Sequence, residues 1–224
     1  MDQAAQAKAG AATPADKIVR HAGPDRAIHW LAAASVLVLL FTAFLPIVGI
    51  RFPWVTLHWA AGLVLTAVVA VHIVRAAIWQ DLRSVWIGRE DLRDAAAIVR
   101  ATWRLPGVPP GKPGKYSFAQ KLIHHAFAIV ILATIVTGGM MMVKIDTPWW
   151  DRNLYWLTDL QWGVVYVVHG LGALLLVTMV MTHVYFALRP EKRHFTRAMI
   201  LGWITRAEYR EQHDPARWPV DGVK

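Results

Sequence analysis

Two histidines, His169 and His183, bracket the segment HGLGALLLVTMVMTH, whose thirteen intervening residues carry no charge. Fourteen residues of α-helix rise about 21 Å and complete nearly a whole number of turns, so the two imidazoles share one face at two depths. A polar side chain in hydrocarbon costs free energy and turns toward a partner inside a helix bundle. A single buried histidine is usually a satisfied core residue, but two in register on one apolar stretch are harder to satisfy that way.

Partners exist at matching depths. His58 opens a second apolar stretch near the level of His169, and His29 opens the first near the level of His183. Ligation of one iron by two imidazoles uses such facing pairs well, because it satisfies both rings where no water is available. Gly62, four residues after His58, and Gly172, three after His169, leave turns without side chains where a flat macrocycle could approach the backbone. Zinc would call for three or four ligands converging at about 2 Å, whereas these histidines come in twos. The apolar stretches contain no Asp or Glu, which also argues against a carboxylate proton relay. The expected cofactor is therefore haem b in two layers. His72 lies fourteen residues after His58 and repeats the same spacing, so geometry leaves His29 and His72 both open as the partner of His183. His124 and His125 open the third stretch, as interfacial histidines or as contacts to a proton path or a quinone.

The elements that must position these rings are four spans, at 27–48, 55–79, 119–143 and 161–188. Each is long enough to cross a hydrocarbon core, which needs roughly 20 apolar residues, and unsatisfied backbone groups in lipid restrict them to helix. The chain of 224 residues is 56% hydrophobic and 17% charged, which fits a small membrane protein better than a soluble domain. The expected fold is an all-α, integral membrane four-helix bundle, with a flexible tail at 1–17, a four-span domain at 18–190 and a terminal segment at 191–224.

Charge distribution sets the topology. Of 24 Lys and Arg, all but Arg51, Lys144 and Arg152 fall on the side that holds both termini, which places the termini in the cytoplasm. The basic residues then serve as topology signals and contacts for anionic lipid, and the net charge of +9 does not indicate nucleic acid. Cysteine is absent, which excludes iron–sulfur clusters, disulfides and thioether-linked haem from this chain. The first apolar run reads as a retained span and not as a signal peptide.

The link DLRSVWIGREDLRDAAAIVRATWRL has helical apolar spacing with a charged opposite face, predicting one or two peripheral amphipathic helices, and PGVPPGKPGKYS should be irregular. The loop KIDTPWWDRNLYWLTDLQW, with three Asp and four Trp, reads as an interfacial aromatic belt or a docking rim for an outer partner. The terminal RPEKRHFTRAMILGWITRAEYREQHDPARW reads as an amphipathic helix ending before Pro215.

DRAIHW, TLHWAAG, GKYSFAQKL, VVHGLGALLLVTMVMTHVYFALRP and QHDPARW, in that order and spacing, resemble the cytochrome b (gamma) subunit of membrane-bound respiratory formate dehydrogenases, within the wider di-haem cytochrome b561-like superfamily. The resemblance covers about 200 residues. It implies two haems b, held by His29 and His183 on the inner side and by His58 and His169 on the outer, and so favours His29 over His72. It also implies a bacterial inner-membrane protein that receives electrons from an iron–sulfur subunit, itself fed by a molybdenum or tungsten catalytic subunit, and reduces quinone near the cytoplasm. Such a chain transfers electrons and has no dehydrogenase site of its own. The quinone pocket would use the start of the third span, at Ser117, Gln120 and His124, although Ser117 and Ala119 replace the family's usual Asn and Gly. Related b subunits serve hydrogenases and thiosulfate reductases, and a standalone b561-type quinone oxidoreductase is the alternative.

Overall fold

The computed structural model describes residues 16–220. Its elements are β1 (Lys17–Val19), α1 (Gly23–Phe44), α2 (Trp54–Trp79), α3 (Leu82–Val85), α4 (Arg89–Thr102), α5 (Phe118–Met142), α6 (Asp159–Leu188), a 3₁₀ turn (Pro190–Lys192), α7 (Arg193–Leu201), β2 (Trp203–Thr205) and α8 (Arg206–Gln212). The chain divides into two compact units, one of residues 27–80 and 123–186 and one of residues 16–26, 81–122 and 187–220 among those described.

The first unit is the all-α membrane bundle, and α1, α2, α5 and α6 are each long and apolar enough to cross a membrane. α2 buries Leu65 and α5 buries Thr137, whereas Ile73, Ile129, Val136 and Val167 stand exposed. Apolar surface on this scale suits helices whose solvent is hydrocarbon. The first span ends earlier than its apolar run predicts, at Phe44 and not Val48. Pro46 disfavours helix at the residue before it and has no N–H to continue the ladder, and the chain reverses through Gly49 at φ 92°. Within the bundle Gly172 is the close-approach point of α6 to α5. A Cβ there would collide with the Thr134 methyl group, so this glycine serves helix packing.

Of the four tryptophans between α5 and the start of α6, Trp149 and Trp156 are exposed and fit the belt expectation. Trp162 departs from it: it is 3% exposed, donates from Nε1 to the Leu154 carbonyl at 3.2 Å and lies under the Lys144 ammonium, 4.7 Å from its ring centre. Being in the first turn of α6, it points inward and anchors the loop.

The second unit contains the short helix α3, the longer helix α4 and a small core. β1 pairs antiparallel with β2 in the register Lys17↔Thr205, Ile18↔Ile204, Val19↔Trp203, and Ile18, Ala198, Ile204 and Tyr209 close a core flanked by Trp218 and Val220. Residues 1–15 of the expected tail lie outside the described residues, and Lys17 already belongs to β1. The terminal segment is not one amphipathic helix. Gly202, at φ 93°, caps α7 in the left-handed conformation, and its carbonyl accepts from the Arg20 and His21 N–H groups. A side chain there would meet the His21 carbonyl at 2.9 Å. The helix therefore stops and the chain turns back into β2.

Candidate functional site

Four histidines of the bundle come together as two facing pairs. His29 of α1 faces His183 of α6 with ring centres 6.3 Å apart, and His58 of α2 faces His169 of α6 at 6.2 Å. The fourteen-residue step from His169 to His183 puts about 21 Å along α6 between the two pairs.

These separations fit one metal held between each pair. A metal–imidazole nitrogen bond is about 2.0–2.1 Å and a ring centre lies about 1.1 Å behind its nitrogen, so two axial imidazoles on one ion have centres roughly 6.3 Å apart. Among the described residues no group of three or more His, Asp or Glu forms a metal-binding cluster. The rings are also not walled in by side chains: His29, His58 and His169 are half-buried and His183 is exposed. The donor set therefore fits haem b with two axial histidines.

The pair nearer the start of α2 has a second layer. His58 Nδ1 lies 2.8 Å from Thr42 Oγ1 of α1, and His169 Nδ1 lies 3.0 Å from Thr137 Oγ1 of α5. Each hydroxyl directs its one hydrogen to its own helix, Thr42 to the Val38 carbonyl at 2.8 Å and Thr137 to the Ala133 carbonyl at 2.7 Å. With that hydrogen on the carbonyl, each oxygen offers a lone pair, and the tautomer that carries its proton on Nδ1 leaves Nε2 unprotonated for a metal. Both threonines are buried. Gly138 gives the His169 ring its room, since a Cβ there would stand 3.2 Å from Cε1. None of these three was singled out from the sequence. A threonine four residues past a carbonyl in an apolar helix ordinarily bonds back to that carbonyl, and nothing local says which neighbouring helix it also serves.

The other pair is bounded by aromatic rings. Trp30 meets His29 edge-on at 5.2 Å and Phe127 of α5 meets His183 edge-on at 5.9 Å. The His72 ring meets His124 of α5 at 6.0 Å, and His124 in turn meets His125 at 5.6 Å. Gly62 has the Leu39 side chain of α1 as its nearest neighbour, and Gly172 has its packing role.

Ser117 and Gln120 form a reciprocal cap at the start of α5. The Ser117 N–H donates to Gln120 Oε1 at 2.9 Å, and the Gln120 N–H donates to Ser117 Oγ at 3.3 Å. This is the S-x-x-Q capping box, a signal present in the sequence and read there only for its chemistry. With Oε1 engaged, Gln120 has its Nε2 hydrogens left to offer another group. His124 follows one turn later on the same helix.

A profile of the family described as "Prokaryotic cytochrome b561" matches residues 20–202. The chain is 28% identical over 213 residues to the "Formate dehydrogenase, cytochrome b556(fdo) subunit" of Escherichia coli strain K12, covering 91% of this chain and 92% of that protein. It is 22% identical to the "Formate dehydrogenase, cytochrome b556 subunit" of Haemophilus influenzae, over 90% of this chain and 82% of that one. The "Probable Ni/Fe-hydrogenase B-type cytochrome subunit" of Bradyrhizobium diazoefficiens is 27% identical over 75% of this chain and 76% of its own. These matches bear out the resemblance carried by the histidine motifs, and with its four apolar spans and facing imidazole pairs the chain belongs to the prokaryotic cytochrome b561 family of membrane b-type cytochromes.

Proposed function

We propose that the chain is the electron-transfer membrane subunit of a multisubunit oxidoreductase of the formate dehydrogenase type, binding two haems b and passing electrons from an iron–sulfur subunit to quinone. The observation that carries this reading is the two facing imidazole pairs, 6.3 and 6.2 Å between ring centres, on a shared helix. The formate dehydrogenase type is preferred to the hydrogenase type because the Escherichia coli relative aligns over about nine-tenths of both chains, against three-quarters for the hydrogenase relative.

His29 and His183 hold one haem and His58 and His169 the other. Bound there, haem b supplies a one-electron iron couple at each level. The chain's own residues do the rest. Thr42 and Thr137 accept from Nδ1 and keep Nε2 of His58 and His169 as the ligating atom. The apolar spans exclude water from the path. Gln120 donates from Nε2 to a quinone carbonyl oxygen beside Ser117, and the His124 imidazole, one turn on, can hold a proton for the reduced quinone.

Positive-side bias puts both termini in the cytoplasm of a bacterial cell, with the chain in the inner membrane. The loop with exposed Trp149, Tyr155 and Trp156 then faces outward, where the iron–sulfur subunit delivers electrons, and dehydrogenation belongs to a molybdenum or tungsten partner. The test is anaerobic. Membranes containing the protein are reduced with benzyl viologen and then given a short-chain ubiquinone or menaquinone. The b-type absorbance should bleach as quinone is reduced; absorbance that stays reduced with both quinones would contradict the proposal.

A further inference from the structure

The segment before α5 belongs to no regular element, yet four consecutive carbonyls in it are each held from elsewhere in the chain. The Lys112 carbonyl accepts from Arg217 Nη1 at 3.2 Å, that of Pro113 from the Asp214 N–H at 2.9 Å, that of Gly114 from His213 Nδ1 at 2.7 Å and that of Lys115 from Arg20 Nη2 at 2.6 Å. Lys112 returns a bond from Nζ to the Arg210 carbonyl at 2.7 Å. Gly114 is packed so closely that a Cβ would stand 3.1 Å from the Arg217 carbonyl. Two residues after Lys115 comes Ser117, the N-cap that holds Gln120.

The donors are themselves fixed. Arg20 and His213 are 2% and 1% exposed, and Arg20 Nη1 donates to His213 Nε2 at 2.8 Å. An arginine can only donate, so Nε2 accepts and the proton sits on Nδ1, where the Gly114 carbonyl takes it. Burial supports the neutral ring, bringing His213 down to about 4. The Arg20 guanidinium is packed over Phe195, Trp218 and Tyr116 at 4.7, 5.4 and 5.5 Å. Arg217 is anchored to Asp94 of α4 at 2.6 Å. Four consecutive carbonyls held in this way pin the segment's path, and the bonds to Gly114 and Lys115, part-buried and made by buried donors, are the costliest to leave unmade.

We infer that Arg20, His213, Asp214 and Arg217 are positioning residues for quinone reduction: the terminal segment clasps residues 112–115 and thereby sets the Ser117–Gln120 cap that meets the quinone. This rests on the reading of that cap as a quinone contact. It also gives the QHDPARW motif a role at a site it follows by about a hundred residues of chain, since His213 and Gly114 are 99 apart in sequence.

The experiment uses the full-length protein in its membrane complex, with benzyl viologen as donor and a short-chain ubiquinone or menaquinone, whichever the wild type reduces, as acceptor. His213→Ala should keep wild-type haem content and wild-type haem reduction by the dye. It should speed amide exchange in residues 112–121 and raise the quinone KM by roughly tenfold, the effect of losing about 1.4 kcal/mol of binding, with kcat changed much less. His213→Gln, whose amide can both accept from Arg20 and donate to Gly114, should return both readouts toward wild type. If His213→Ala fails to accumulate with haem, Arg217→Gln, which releases the Lys112 carbonyl, carries the same expectations. Unchanged exchange in 112–121 would overturn the clasp. Faster exchange with an unchanged KM would overturn its positioning role. The underlying quinone reading fails separately, if neither quinone is reduced by the wild type or if Gln120→Glu turns over normally.

Discussion

His58 Nδ1 and Thr42 Oγ1, on neighbouring spans and 2.8 Å apart, bear on which nitrogen of a half-buried imidazole is left for a metal. The same arrangement recurs between His169 and Thr137, so both histidines of one pair are oriented by a hydroxyl whose hydrogen is already committed. Loss of such an outer partner typically weakens metal retention by about 10–100-fold. Thr42→Val and Thr137→Val should each lower occupancy of the haem between His58 and His169 and raise its reduction potential, because the ligand becomes a weaker donor. The other haem should be unaffected, and Thr→Ser at either position should restore the wild type. Optical redox titration reads this, and two unchanged potentials would remove the threonines from the account.

The partner of His183 separates two arrangements that helical spacing alone leaves equal. His29 faces His183 at 6.3 Å, whereas His72 faces His124. His29→Ala should therefore lose one haem, while His72→Ala should retain both. Loss of a haem in the His72 variant with none lost in the His29 variant would confine the ligands to α2 and α6.

Gln120 has two separable jobs. Gln120→Glu preserves the acceptor that the Ser117 N–H needs and keeps the capping box, but removes the Nε2 donors. Quinone reduction in that variant should fall by roughly tenfold or more, as expected when about 1.4 kcal/mol of transition-state stabilisation is lost, with haem content and dye reduction unchanged. Normal turnover would assign Gln120 to capping alone.

What the sequence discloses and what it withholds divide along the range of the interactions. Spans and histidine depths follow from local composition and helical rise, so the facing of His58 with His169 is legible in residue numbers, whereas His29 and His72 both stay open there as the partner of His183 and only the family resemblance favours His29. Hydropathy carries the first span on to Val48, but Pro46 acts on backbone geometry and ends the helix at Phe44. Thr42 and Thr137 stayed hidden because the face a threonine presents to a neighbouring helix depends on how the helices rotate against one another. The terminal segment reads as one helix in sequence because its apolar spacing continues across Gly202, and only the pairing of β2 with β1 requires a left-handed residue there. Its hydrogen bonds to residues 112–115 join segments about a hundred residues apart, beyond the reach of any periodicity.

The central claim is that this one chain holds two haems b between two pairs of histidines at different depths. Pyridine haemochrome analysis of the purified protein, normalised to chain concentration by amino-acid analysis, tests it most directly. The account predicts two b-type haems per chain, with a reduced-minus-oxidised spectrum of iron ligated by two histidines. A stoichiometry of one haem or none in stable, fully folded protein would contradict it.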